Sequence, residues 1–214
     1  MHKQWPGILF LLAGLPCAAA ELHVGLVDQR GKPVADAVVT VFPAGRSRAP
    51  VPAPKTKIIN QSANTFVPYI EVFRPGDQVV FHNSDRTRHH VYSFSKVKAF
   101  EFILNAGESS SALPLEKSGV IAVGCNIHDA MITYLFVTDA PWMARADATG
   151  KAVVRALPAG AYTVRVWQPR LRPGKPDLVQ SDVVLAADES KPLQFKLNLL
   201  PDSRRKPGRE KTQY

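Results

Sequence analysis

Short runs of alternating apolar and polar residues dominate this chain. Leu22, Val24 and Leu26 alternate through 22–28, Gln29-Arg-Gly-Lys-Pro33 makes a turn, and Val38-Val-Thr-Val-Phe42 follows as an apolar run. Period two predicts strands, and the Gly-Pro pair predicts the turn between them. Residues 44–57 carry Pro50, Pro52 and Pro54 among small and basic residues, the chemistry of a semi-rigid linker. The densest strand territory is 58–138, with strands expected near 70–74, 77–82, 89–95, 99–104, 109–115, 118–124 and 131–138. Pro75-Gly76, Asn83-Ser84-Asp85, Ala106-Gly107 and Lys117-Ser118-Gly119 separate them. The pattern restarts at 142–146, 152–156 and 162–167 and, past a Pro-rich loop, near 179–185 and 192–198. No helix longer than a turn or two and no solenoid repeat is evident. The expected fold is all-β, a Greek-key sandwich or barrel with a second β unit around or beside it.

Composition agrees: 45% of residues are hydrophobic, 21% charged, and 18 are prolines, which favour turns over long helices. The first twenty residues read as an export signal. His2 and Lys3 give a positive start, Ile8 to Leu15 an apolar core, and Ala18-Ala19-Ala20 a small-residue cleavage site. The apolar stretch is too short to span a bilayer, so no membrane span is expected and the periplasm is the expected location. Cutting after Ala20 leaves 194 of the 214 residues and, with Lys3 gone, lowers the formal charge from +9 to +8. A basic exported chain draws acidic protein partners rather than nucleic acid. Residues 199–214 read as a basic, disordered tail.

The sequence has two cysteines, and Cys17 lies in the leader, so Cys125 stands alone in the mature chain. That excludes an internal disulfide, a Cys-x-x-Cys redox pair, a haem attachment motif and a four-cysteine metal site. A lone thiol in an oxidising space is either buried as an inert small hydrophobe or held as a metal thiolate. Its surroundings, Cys125-Asn-Ile-His128-Asp-Ala-Met131, gather a thiolate, an imidazole and a thioether within seven residues, and His89 and His90 supply an imidazole upstream. Two His, one Cys and a weak axial Met are the ligand set of a blue-copper site. Strand alternation puts His89 and Val91 on one face and His90 and Tyr92 on the other, so only one of the adjacent histidines can aim at the metal. The only acid–base cluster, Asp85 with His89 and His90, has no nucleophile at a recognisable spacing, and no enzyme is expected.

Residues 58–138 resemble a cupredoxin, the family of plastocyanin and amicyanin. The resemblance rests on Val80-Phe-His-Asn83-Ser-Asp85 followed by His89, on the approach strand Gly119-Val-Ile-Ala-Val-Gly-Cys125, and on the compact Cys-x-x-His-x-x-Met spacing. It implies one type 1 copper ion held by His89, Cys125, His128 and Met131, the six-residue offset from Asn83 favouring His89 over His90. It also implies that the His90 amide approaches the sulfur and that Asn83 ties the two ligand-bearing segments together. Three residues depart from the usual pattern: Arg88 for a Pro, Gly124 for an aromatic, and Ile127 for a Pro, the last adding an N–H near the thiolate. His23 and His82 have no such support.

The flanks, 21–43 and 139–198, resemble two parts of a transthyretin-like, carboxypeptidase-regulatory β-sandwich. The copper unit is then inserted in that sandwich or follows it in series. The whole chain resembles bacterial proteins labelled methylamine-utilisation or plastocyanin-like. The resemblance implies an electron carrier meeting transient, acidic redox partners such as a cytochrome or a dehydrogenase, with His128 on the exposed edge. Copper delivery, or a metal-free adhesion or scaffold role, are the competing readings.

Overall fold

The computed structural model describes residues 19–45, 52–172, 177–202 and 204. The expected signal (1–20) lies outside these residues but for its last two positions. Residues 46–51 of the proline-rich stretch and most of the basic tail lie outside as well. Among the described residues no helix is long and apolar enough to cross a membrane.

The chain is all-β. Among the described residues two strands come first, β1 (Ala20–Asp28) and β2 (Val38–Pro43). Nine follow: β3 (Thr56–Ser62), β4 (Thr65–Val67), β5 (Ile70–Phe73), β6 (Gln78–Asn83), β7 (His89–Ser95), β8 (Lys98–Leu104), β9 (Leu113–Pro114), β10 (Gly119–Cys125) and β11 (Ile132–Val137). Five close it: β12 (Trp142–Arg145), β13 (Lys151–Leu157), β14 (Gly160–Trp167), β15 (Leu178–Leu185) and β16 (Ser190–Leu197).

The middle nine strands make two sheets, β5-β11-β10-β7-β8 and β4-β3-β6-β9. Period-two alternation turns Val91, Ile121, Val123 and Leu135 of one sheet toward Ile59, Phe66, Val79 and Phe81 of the other, and these side chains form one buried core. The outer strands make two further sheets, β13-β1-β16 and β12-β2-β14-β15, around a separate core that includes Leu22, Val24, Val41, Val154, Val164 and Leu197. Strands from before and after the middle segment thus share sheets and a core: β1 lies between β13 and β16, and β2 between β12 and β14.

The run Val38-Val-Thr-Val is buried at every position, as a strand covered on both faces must be. Val39 and Val41 enter the outer core, while Val38 meets Ile70 and Phe136 of the middle sandwich in a third cluster bordered by Tyr134 and Trp167. Trp167 stacks 5.0 Å from Phe136 and 5.8 Å from Tyr134, ring centre to ring centre. Arg74 donates to the carbonyls of Ala140 and Pro141, and Arg145 to that of Ile70, so the return crossing is fixed as well. Gly150 is required at its turn: its φ is +72°, and a Cβ there would lie 2.5 Å from the Leu26 carbonyl oxygen.

Two differences from the sequence reading stand out. β3 and β4 lie where no strand was expected, β3 beginning inside the predicted linker. The strand expected over 109–115 shrinks to Leu113–Pro114, because Pro114 brings no N–H to a ladder and Ser110 bonds Phe81 through its own backbone and hydroxyl.

Candidate metal centre

Several strands end at one pole of the middle sandwich. β6 finishes at Asn83, β7 starts at His89, β10 finishes at Cys125, and β11 starts just after Met131. Between the last two the chain makes a tight turn. The Cys125 amide donates to the Met131 carbonyl (3.2 Å), and the Met131 amide to the His128 carbonyl (3.0 Å). The Asn126 amide donates to the His90 carbonyl (3.0 Å), lashing this turn to β7.

Nδ1 of His89 lies 3.7 Å from the Cys125 sulfur, and Nδ1 of His128 lies 3.9 Å from it. All three donor atoms fall within 4.8 Å of one another. His89 is fully buried and Cys125 5% exposed, whereas His128 is only half-buried. Met131 is 2% exposed, sits in the same core as Cys125, and lines the same small cleft. The alternation along β7 operates as read: the His90 ring points away and meets Glu101 at 2.6 Å. His82 bonds Ser109 and His23 bonds Glu21, both outside the cluster.

A second layer fixes the first. Nε2 of His89 meets Oδ2 of Asp85 at 2.9 Å, and that carboxylate also accepts the amides of Ala63 (2.6 Å) and Asn64 (3.0 Å). Asn83, wholly buried, accepts the Asp85 amide at Oδ1 (2.9 Å) and donates Nδ2 to the carbonyls of Thr87 (2.8 Å), Leu104 (3.0 Å) and Asn105 (3.0 Å). The ring nitrogen facing the sulfur is therefore set by the bond its partner nitrogen makes to Asp85.

Burial alone pushes the Cys125 thiol up. The His89 ring, the Ile127 amide, the His128 ring and the His90 amide outweigh it and bring it down to about 6. Burial alone pushes His89 down, but the Cys125 sulfur and the Asp85 carboxylate hold it above the ordinary imidazole range. Asp85, raised by burial, is lowered further by His89 and the two amides, and stays below the ordinary carboxylate range. At neutral pH the sulfur is thus a thiolate, the form that binds metal.

Where Gly124 leaves out a side chain, its cross-strand partner Tyr92 fills the space, with its Cζ and hydroxyl oxygen each 3.3 Å from where a Cβ would stand. The sequence reading noted Asp85 without giving it this holding role, and it missed Gln61. That residue is 0% exposed on β3, with neither Oε1 nor Nε2 partnered among the described residues. A polar residue in phase with inward-facing Ile59 was the available signal.

A thiolate and two imidazoles converging at one buried point, beside a buried thioether, fit a type 1 copper ion by donor chemistry. No protein-family model matches the chain, and no curated protein matches it. Among solved structures, a purple cupredoxin from Nitrosopumilus maritimus is 21% identical, covering 38% of this chain and 98% of its own, with a TM-score of 0.34. Amicyanin from Paracoccus versutus is 16% identical over 46% of this chain and 98% of its own, with a TM-score of 0.36. A copper-containing nitrite reductase from Thermus scotoductus SA-01 is 23% identical over 46% of this chain, which spans only 25% of that enzyme (TM-score 0.37).

Proposed function

We propose that this protein is an exported blue-copper electron carrier in which His89, Cys125, His128 and Met131 would hold one copper ion. The observation that carries the reading is the approach of two imidazole nitrogens to one buried sulfur, at 3.7 and 3.9 Å. When bound, the ion supplies reversible one-electron chemistry, and the chain supplies everything that makes exchange fast. Asp85 orients His89, and the amides of His90 and Ile127 point at the sulfur and spread its charge. His89 and Cys125 sit at hydrogen-bonded strand ends and the tight turn between β10 and β11 carries His128 and Met131, a frame that would hold the donors in place. The only donor that reaches the surface is half-buried His128, the natural exit toward a partner.

The middle strands act as the copper domain inserted between the two parts of the outer sandwich, a division supported by the shared sheets of β1 and β2 with the closing strands. Partners are other redox proteins, acidic ones favoured by the formal +8 left once the leader is cut, meeting it through a small, transient interface in the periplasm. Adding Cu(II) to the purified protein tests the reading: an intense blue absorption that survives dialysis is expected, and Cys125→Ser abolishes it without unfolding the chain. A colourless site that takes only Cu(I) would favour delivery over electron transfer, and loss of copper on dialysis would refute both.

A further inference from the structure

Gln61 stands where the metal end of the sandwich leaves it no protein partner. Its backbone is well placed: the carbonyl accepts the Ser84 amide at 2.9 Å, and the residue pairs with Asn83 of β6 on one side and Phe66 of β4 on the other. Its side chain takes the inward face that Ile59 takes one pleat earlier, and Ile59 belongs to the core that holds Cys125 and Met131. Gln61 is next to last in β3, in register with Asn83 at the end of β6. His89 opens β7 and pairs with Leu104 at the end of β8, and Cys125 ends β10. Gln61, Asn83, His89 and Cys125 therefore share one layer.

The other buried polar side chains of that pole are satisfied. Asn83 has four hydrogen bonds, His89 has Cys125 and Asp85, and Thr133 donates to Pro68 and Tyr69. Among the described residues Gln61 has none at either side-chain atom. Folded proteins keep few buried amides in that state, because an unmet carbonyl and amino group oppose folding in the absence of an outside partner. A leucine of similar bulk would serve the core better. The carboxamide oxygen is, however, a known axial donor to copper in a His–Cys–His plane.

We infer that Gln61 is a further metal-binding residue, its Oε1 an added oxygen donor to the ion that His89, Cys125 and His128 would hold, alongside or in place of Met131. The inference rests on the copper reading and adds a harder donor to it. An oxygen favours Cu(II) over Cu(I) relative to a site with a thioether alone, and so lowers the potential at which the protein exchanges electrons.

The test compares the full-length protein with Gln61→Leu and Gln61→Met, each metal-free and after titration with Cu(II) and Cu(I). For Gln61→Leu, the metal-free protein should melt higher than wild type, since an unmet amide is gone. Its Cu(II) affinity should fall by about tenfold or more, with Cu(I) affinity less affected. Its visible and electron paramagnetic resonance spectra should change, and its reduction potential should rise. Gln61→Met, which keeps a donor on a flexible stem, should fall between the two, and it remains informative if the leucine variant fails to fold. Wild-type copper affinity and unchanged spectra in both variants would overturn the assignment. So would a lower melting point of metal-free Gln61→Leu with copper binding untouched, the mark of a buried water on the amide. If wild type takes up no copper, the electron-carrier reading fails first and this assignment with it. If wild type binds copper and the variants match it, only this assignment fails.

Discussion

Asn83 is the residue whose removal should most clearly separate the support of the site from its donors. Asn83→Ala takes away one acceptor and one amino group together. The carbonyl of Leu104 sits in the interior, and leaving it unmet costs about 1–3 kcal/mol. Thr87 and Asn105 are exposed, so water replaces the amide there and each lost bond costs about 0.5–1.5 kcal/mol. The Asp85 amide loses its turn-closing acceptor at a similar cost, which brings the total to the order of 4 kcal/mol. For a chain of this size that is a melting point lower by about 8–16 °C. Asn83→Asp refines the case. It keeps an oxygen for the Asp85 amide but turns an acceptor toward three carbonyls, so its carboxyl should titrate high in the folded state. The folded form then holds a proton that the unfolded form has released. Stability of this variant should therefore rise as pH falls through that raised value, opposite to the usual effect of acid. Urea denaturation of the metal-free proteins, followed by circular dichroism at several pH values, measures both. A loss below about 1 kcal/mol for Asn83→Ala, or an Asn83→Asp variant as stable as wild type at pH 7, would refute the reasoning.

Two further outcomes follow from the same geometry. The Cys125 thiolate of the metal-free protein, read by its ultraviolet absorbance, should titrate at about 6, and His89→Ala should move it back up toward the ordinary thiol range; an unmoved value would mean that His89 does not stabilise the thiolate. The lowered thiol alone would make stability climb as pH rises from about 6 toward the ordinary thiol range. His89, raised in the same pair, contributes stability that is lost as pH rises, so the two slopes oppose and a pH scan should be nearly flat where the pair is thiolate and imidazolium. Trp167→Ala should split a single unfolding transition into two, because Trp167 stacks on Phe136 and Tyr134 where the two sandwiches meet; one transition in the variant would show that the crossings alone couple them.

How much of this was written locally in the chain can be judged strand by strand. β7 was legible because His89, Val91 and Ser93 alternate inward against His90, Tyr92 and Phe94, an alternation that left room for only one of the two histidines at the metal, the offset from Asn83 pointing to His89. The turn from Cys125 to Met131 was legible because its donors are three residues apart and need no long-range information. β3 was not legible, since it breaks the code on both faces: Ile58 is 61% exposed while polar Gln61 is wholly buried. The stretch 109–115 misled in the other direction, as extended residues whose bonds come from Ser110 and whose ladder stops at Pro114. The pairing of β1 with β16 joins residues about 170 apart in parallel register, and nothing in either segment names its partner. Asp85 illustrates the general limit. Its position four residues before His89 was visible, but only the return of the β3–β4 turn, with two amides aimed at its carboxylate, makes it a holder of the imidazole.

The place where the outer sandwich leans on the middle one bears on how such a carrier would work. Contact runs through Tyr134 and Phe136 toward the far end of β11 and through Ile70 and Val72 of β5, whereas the donors cluster where β11 begins. The brace therefore stiffens the sheet that carries Cys125 without covering the pole where His128 comes to the surface. Electron exchange weakens steeply with distance, so a carrier needs its ion sealed from water yet within a side chain of its partner. Three of the four proposed donors are 0–5% exposed and one is half-buried, which meets both demands at once. An outer sandwich packed instead against the Cys125–Met131 turn would have sealed the ion and blocked exchange. The placement at the opposite end of β11 thus favours a carrier over a store, for which a closed pole would serve better.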